Sequence, residues 1–346
     1  MPRVSVVMAV YNEERYLSEA VDSILRQTFT DFEFIIVDDN STDQTQEIIK
    51  SYADSRILLL VNGMNVGQTV SLNRGIACAR GEFIARMDGD DVSLPNRFAE
   101  QIRFLDANPD VVMLGTGAYW IDENRRVFSR GFMETSHLTI RWHLLFGNQF
   151  FHPSLMWRRE LVSSKIGDFN LQYGYANDYE FVSRVAEHFK VANLRKLLIC
   201  YRRHPQAMGV EGKQKTCLEA EEISACQLRK LFGGDLPIEQ RWLRAIWIRD
   251  IKHIPLKDVL EAFRTLKIAY QLFNVCPVPN GDRKQIRKYL GKCISDLCMH
   301  VLKKDLRKGI SIANEAMKWD PTFIIDYGKW FVRVMPSWCI NNFHKR

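Results

Sequence analysis

Three carboxylates fall within four consecutive residues in the segment Met87-Asp88-Gly89-Asp90-Asp91. At an effective dielectric of roughly 20, two like charges about 4 Å apart repel by about 4 kcal/mol, so such a cluster is costly without a cation or a basic partner. Hard divalent cations take oxygen ligands, and Mg²⁺ typically combines one or two carboxylates with substrate phosphates. A Ca²⁺ loop of EF-hand type does not fit, because the residue that should be its closing Glu is Ala99. The segment reads either as a metal and phosphate site or as an acidic turn capping a helix that starts near Pro95. Further along, Asp178 opens a helix-like segment; an ordinary carboxylate is ionised at neutral pH and can accept a proton, the minimum for a general base. Asp is also a favoured N-cap, which is the competing reading. His204 follows Tyr201-Arg202-Arg203. Arginines recognise phosphate through paired donors, and a solvated basic run is the plain alternative.

Elements that would position these residues can be read from periodicity. Val4–Val10, 33–38, Ile57–Val61 and 82–87 are short apolar runs of the kind that form buried strands. Between the first two, Leu17, Ala20, Val21, Ile24 and Leu25 follow the spacing of one helix face. Ser41 with Gln44 predicts a capping box for a helix over 42–53. Strand, helix, strand, helix implies an α/β domain with a mostly parallel sheet flanked by helices. The ligand crevice of such a sheet lies beyond the carboxyl ends of its strands. Asn12 and Glu13, Asp38 and Asp39, and Asp88 to Asp91 all fall there. Residues 110–200 are mixed, with strand-like 111–115 and 191–200 and a helix-like 178–188. From about Gly212 the pattern is helical, over 214–232, 238–253, 256–273, 283–302 and 306–318, with Gly, Pro breakers between.

Composition bounds the rest. The 346 residues are 46% apolar and 26% charged, ordinary for a chain that buries a core. No window has the run of apolar residues that a spanning helix needs, and Met1-Pro2-Arg3-Val4 leads straight into a strand, which predicts no signal peptide. Eight cysteines without a CxxC pair predict reduced thiols used as small core residues. Charge is divided: residues 1–194 hold 19 Lys and Arg against 26 Asp and Glu, and residues 195–346 hold 29 against 15. That asymmetry predicts different partners for the two parts.

The motifs occur together and in order: Val4 to Glu13, Phe34 to Asp43, Asn65-Val66-Gly67 with Asn73-Arg74-Gly75, and Asp88 to Asp91. His152-Pro153-Ser154, Gly167-Asp168-Phe169 and Asn177-Asp178-Tyr179-Glu180 follow. This series resembles the family 2 glycosyltransferases of bacterial type, which have the GT-A nucleotide-sugar-binding fold and build surface polysaccharides and other glycans. The resemblance runs from about residue 3 to about residue 205. It implies a catalytic domain over 1–210; composition and the helical pattern beyond it predict a basic helical extension over 211–346. The resemblance further implies an inverting glycosyltransferase that moves a sugar from a nucleotide-sugar, most commonly a UDP-sugar, to a hydroxyl acceptor. Ala9, Tyr11, Glu13, Asp39, Asp88 and Arg202 would then contact the nucleotide-sugar. Asp88 and Asp90, with His204, would hold Mn²⁺ or Mg²⁺, and Asp178 would be the catalytic base. His152 would sit on the acceptor side. Family members usually carry Glu-Asp where this chain has Asn177-Asp178.

Beyond the resemblance, Lys303-Lys304, Arg307-Lys308, Lys329 to Met335, Trp338, Phe343 and His344-Lys345-Arg346 mix basic and aromatic residues. Such mixtures suit an anionic membrane surface, which a lipid-linked or polysaccharide acceptor would make useful. The expected location is cytoplasmic, peripheral on the inner face of the membrane. A helical bundle with a solvated basic face, or a protein-partner surface, would share the pattern; no nucleic-acid motif accompanies it. A nucleotidyltransferase would need a Gly-rich loop after the first strand, and a dinucleotide dehydrogenase a GxGxxG run; 9–14 is neither. The rival from another class is a catalytically silent nucleotide-sugar-binding scaffold of a membrane glycan-assembly complex.

Overall fold

The computed structural model describes residues 1–313 apart from 237, 250, 275–278, 303, 306 and 308. The basic and aromatic residues beyond 313 lie outside the described residues. The first part of the chain alternates strand and helix: β1 (Val4–Val10), α1 (Leu17–Leu25), β2 (Phe32–Asp38), α2 (Thr45–Lys50), β3 (Ile57–Val61), α3 (Gln68–Cys78) and β4 (Phe83–Met87). A short β5 (Val92–Ser93), α4 (Arg97–Ala107), the long β6 (Val111–Ile121), β7 (Val127–Gly131) and α5 (His137–Leu144) follow. A 3-10 turn at His152–Ser154 leads into β8 (Met156–Arg158), α6 (Arg159–Lys165), α7 (Asn177–His188) and β9 (Lys190–Arg202). Thereafter only helices occur among the described residues: α8 (Met208–Glu211), α9 (Lys213–Phe232), α10 (Gln240–Trp247), α11 (Val259–Phe273) and α12 (Asn280–Leu302).

One nine-stranded sheet has the order β3-β2-β1-β4-β8-β6-β9-β5, with β7 paired to β6. The expected parallel character holds for β3, β2, β1 and β4. Beyond β4 the sheet is mixed: β8 runs antiparallel to β4 and β6, and β5 antiparallel to β9, while β6 and β9 pair in parallel. Strands β1 and β2 are buried along their whole length, because both faces are covered. Val7, Ala9, Ile35 and Val37 face a core shared with α3 and α7, and Val4, Val6, Met8, Phe34 and Ile36 face one shared with α1 and α4. Double burial is what writes a strand as an unbroken apolar run. Helix α3 lies directly on this sheet: a Cβ on Gly75 would stand 2.7 Å from Val7 Cγ1.

Two local expectations change. The helix expected over 42–53 is shorter and has no side-chain cap. Ser41 does not close a capping box because its Oγ accepts the Asn12 N–H at 2.9 Å while its own N–H donates to Asp38 Oδ2. Of the cysteines, Cys293 and Cys298 are buried as expected, but Cys78, Cys217 and Cys226 are exposed. No helix among the described residues is long and apolar enough to cross a membrane.

The chain divides into two compact units, Met1–Ile223 and Ser224–Arg346. The described part of the second is helical, with Leu243, Ile246, Phe263, Leu266, Leu290 and Leu297 buried. Within it the Trp247 and Tyr289 rings meet at 4.4 Å.

Candidate active site

The loops that follow β1 and β2 are locked to each other at the carboxyl edge of the sheet. Asn12 and Asn40 both adopt positive φ, 54° and 64°, a region that Asn tolerates better than most residues. Asn12 Oδ1 accepts the Thr42 N–H at 2.8 Å, and Thr45 Oγ1 accepts the Glu13 N–H at 2.8 Å. Asp39, at the end of β2, is almost wholly buried. Its Oδ1 accepts from Asn62 Nδ2 at 2.7 Å and Val66 N at 2.9 Å, and its Oδ2 from Gly67 N at 2.7 Å. Gly67 takes φ +91° to present that N–H, a backbone setting natural only to glycine. Asp39 thus ties the entrance of α3 to β2, and it does so at the wall of a cleft.

That cleft has a volume of about 850 Å³. Of the residues singled out for the nucleotide-sugar, Ala9, Tyr11, Glu13 and Asp39 line it, together with His204. Its far side is formed by Tyr175, Gln206, Met208, Gly212 and Lys215. Asp88, Asp90 and Asp178 are not in the lining, but Asp90 adjoins it through His204, whose Nε2 lies 2.9 Å from Asp90 Oδ2. The His204 ring also packs on Tyr16, centroids 4.9 Å apart.

Asp88, Asp90 and Asp91 bring one carboxylate oxygen each to within 4.8 Å of one another. Gly89 allows this because its α-carbon comes up against β1 and Glu13; a Cβ there would meet Val10 Cγ1 at 2.8 Å. Burial raises the Asp88 carboxyl, with the Asp90 charge adding to it and the Arg86 guanidinium opposing it. Asp91 is raised well above the usual range by burial and by Asp90 and Asp88. Its Oδ1 accepts the Arg202 N–H at 2.7 Å, while Oδ2 is buried without a hydrogen-bond partner. Burial, then Asp90, Asp88 and Asp43, push Glu13 up to about 9. Crowded, partly desolvated carboxylates with an unused oxygen fit a hard divalent cation, whose charge would remove the repulsion that raises them.

Arg202 is placed differently from the expectation. Its side chain is buried rather than turned to the cleft: Nε donates to Asp90 O at 2.7 Å, Nη1 to the carbonyls of Asp122 and Glu123, and Nη2 to Glu19. The guanidinium is committed to holding the backbone of the acidic turn, and a phosphate contact would require those bonds to break. One cation was not singled out in the sequence. Arg86, 1% exposed, forms an ion pair with Asp88 from beneath. The available signal was a charged residue inside the apolar strand β4, two residues before Asp88 and so on the same face.

Asp178 lies in the first turn of α7, whose N-cap is Ala176 and carries no capping side chain. The N-cap reading of Asp178 therefore gives way to a position inside the helix. Its Oδ1 accepts its neighbour's N–H, from Tyr179, at 2.7 Å, and Oδ2 accepts from Asn148 Nδ2 at 2.7 Å. Burial raises its pKa to about 6, opposed by the Tyr179 hydrogen bond and the Arg86 charge. Asn148 carried no sequence signal, since the bond spans thirty residues and joins a loop to the first turn of α7. Asn177 is buried and donates to Thr69 Oγ1 at 2.9 Å, which in turn donates to Tyr173 O at 3.0 Å. It serves as a tie to α3. Burial, with the Arg86 charge adding to it, lowers the His152 pKa well below the ordinary range, and its ring meets Phe169 at 5.8 Å.

Comparison with known proteins bears on this arrangement. The model of the family described as Glycosyl transferase family 2 matches residues 5–165. An uncharacterized glycosyltransferase of Methanocaldococcus jannaschii is 37% identical over 212 residues, 58% of this chain and 71% of that protein. The O-antigen biosynthesis glycosyltransferase WbnJ of Escherichia coli is 32% identical over 238 residues, 66% of this chain and 89% of WbnJ. Among solved structures, residues 1–349 of S. aureus TarS in complex with UDP-GlcNAc superpose with a TM-score of 0.58 at 19% identity, covering 89% of this chain and 92% of that one. At that identity the likeness is one of fold.

Proposed function

The chain belongs to glycosyl transferase family 2, and from that premise we propose that it is a metal-dependent, inverting enzyme transferring a sugar from a UDP-sugar to the hydroxyl of a lipid-linked or polysaccharide glycan. The observation that carries the reading is the meeting of His204, Asp90 and Asp88 beside a cleft walled by Ala9, Tyr11, Glu13 and Asp39. Ala9 and Tyr11 bound the nucleotide, and Asp39 offers its remaining lone pair to base or ribose. Asp88, Asp90 and His204 would hold Mn²⁺ or Mg²⁺, which when bound neutralises the charge of the departing diphosphate as a Lewis acid. Arg202 and Arg86 keep the carboxylates in place from behind.

Asp178 accepts the proton of the acceptor hydroxyl. The acceptor oxygen bonds to the anomeric carbon as the bond from that carbon to the diphosphate oxygen breaks, with the electron pair leaving on the nucleoside diphosphate. A single displacement of this kind inverts the anomeric centre. The hydrogen bond from Asn148 aims one oxygen and the Tyr179 amide the other, so the base is held in one rotamer. WbnJ, by its name an O-antigen enzyme, supports a glycan acceptor, and the basic second part of the sequence supports an inner membrane face.

The first experiment is a thermal-shift panel of UDP-, GDP- and dTDP-sugars with Mn²⁺, Mg²⁺ or EDTA. A ligand that binds only the native state raises the apparent melting temperature. We expect a metal-dependent shift with a UDP-sugar, and Asp178→Asn should keep that shift while losing turnover. A shift that survives EDTA would sink the metal assignment; a full shift with no turnover of the unaltered protein on glycan acceptors would favour the silent scaffold.

A further inference from the structure

Glu219, on the first half of α9, spends its carboxylate on backbone amides rather than on a cation. Oε1 accepts the Gly174 N–H at 3.2 Å, and Oε2 accepts from Tyr175 at 2.8 Å and Ala176 at 2.7 Å. These three amides immediately precede Asn177 and Asp178 at the start of α7. The first N–H groups of a helix have no partner within it, and Ala176 has no side chain to supply one. Of the three amides, that of Ala176 belongs to the N-cap residue of α7 and the other two to the turn before it; a carboxylate more than forty residues away thus holds the entry to the helix, and its negative charge suits the positive end of α7.

Two more contacts bind the same turn to the cleft. Gly212 packs so tightly on Tyr175 that a Cβ would stand 2.1 Å from the ring, and Lys215 Nζ lies 5.2 Å from the ring centroid. Tyr175, Gly212 and Lys215 all line the cleft. From the opposite side Thr69 of α3 holds Tyr173 and Asn177. The turn is thus gripped between α3 and α9, and Asp178 is the next residue but one after it.

We propose that Glu219 is a positioning residue for the transfer step: it fixes the turn at Gly174–Ala176 and, through that turn, the carboxylate of Asp178. The proposal rests on Asp178 being the base, and the test separates the two. Wild type, Glu219→Gln, Gly212→Ala and Asp178→Asn are compared, with Glu222→Gln as control; Glu222 meets Gln172 Nε2 at 3.3 Å and does not touch the turn. The probe is the UDP-sugar with Mn²⁺ and a glycan acceptor, read as UDP release, beside calorimetric binding of UDP and amide exchange over 172–180.

Because a displacement of about 1 Å costs about 10²-fold in rate, Glu219→Gln should lower kcat by roughly 10- to 100-fold. UDP affinity should stay within about threefold on the same geometric ground, and exchange at Gly174, Tyr175 and Ala176 should accelerate. Gly212→Ala, which displaces the Tyr175 ring, should lower kcat and accelerate exchange at the same three amides even if Glu219→Gln does not fold; because Gly212 and Tyr175 line the cleft, only kcat and exchange are read for this variant. Glu222→Gln should match wild type. Wild-type kcat in Glu219→Gln or, where that variant does not fold, in Gly212→Ala, with Asp178→Asn inactive, overturns the positioning role and leaves the base in place. An equal loss of UDP binding and kcat in Glu219→Gln overturns it too. Turnover by Asp178→Asn overturns the base reading and this proposal with it.

Discussion

The pKa of Asp178, near 6 through burial, gives the proposed base a pH signature. A base must be deprotonated to act, so kcat should rise with pH through about 6 and level off above it. Initial rates between pH 5 and 8 check this, and a flat profile would remove the assignment. Stability runs the other way. The folded pKa lies above the unfolded value of about 3.9, so the folded state holds this proton more tightly. The contribution of the protonated form is complete below the unfolded pKa and is lost as pH rises through about 6. At this scale the sequence disclosed types but not duties. Asp88, Asp90 and Asp39 stood out because acidic residues fell at strand ends, and His204 because it follows the basic run Tyr201-Arg202-Arg203 and through the family resemblance. Arg202 was legible as a basic residue beside the site, but not that its guanidinium turns inward, since Glu19 and the Asp122 and Glu123 carbonyls come from distant segments.

Among the elements, α3 is the one whose seating matters most, because it joins the Asp39 loop at one end to the segment leading into α7, through Thr69 to Tyr173 and Asn177 and through Asn73 to Phe169. Asn73 exchanges hydrogen bonds with Phe169, 2.8 Å and 3.0 Å. Gly75 lets this helix touch β1. Gly75→Ala should force the added methyl against Val7 and cost about 1–3 kcal/mol of stability, measured by urea unfolding with the UDP-dependent melting shift as a second readout. An unchanged urea midpoint would show that the helix can move aside freely. Strands β1, β2 and β4 were readable because two-sided burial leaves continuous Val, Ile and Phe runs; β3, at the sheet edge, keeps an apolar run although Leu58 and Val61 are exposed. The pairing of β6 with β9 was not readable: it is non-local and interrupted by three register shifts, which no window of sequence records. The misplaced start of α2 has the same origin, since Ser41 bonds to Asn12 across loops.

For the molecule as a whole, the acidic first part and basic second part of the sequence remain the clearest clue to where it works. Basic residues near anionic headgroups contribute about 1 kcal/mol each, and screening shortens the reach of surface charge to about 3 Å at 1 M salt. The protein should therefore sediment with vesicles of phosphatidylglycerol at low salt, and release as salt rises, while ignoring phosphatidylcholine vesicles. Equal behaviour towards both lipids would remove the peripheral-membrane assignment. Fold class could be read at this scale because the motifs are ordered; membrane contact could not, because it depends on a charge pattern that a solvated helix shares.

The strand order carries a consequence for how the protein is made. Among the described residues β9 is the last strand to leave the ribosome, yet it lies between β6 and β5 in the finished sheet. Until residue 202 has emerged, both neighbours present open edges, the condition under which strands pair with the wrong chain. His204 follows β9 directly, so the contact with Asp90 cannot exist in any shorter nascent chain. Completion of the sheet and the His204–Asp90 contact therefore become possible together, and a polypeptide that ends before residue 202 has neither.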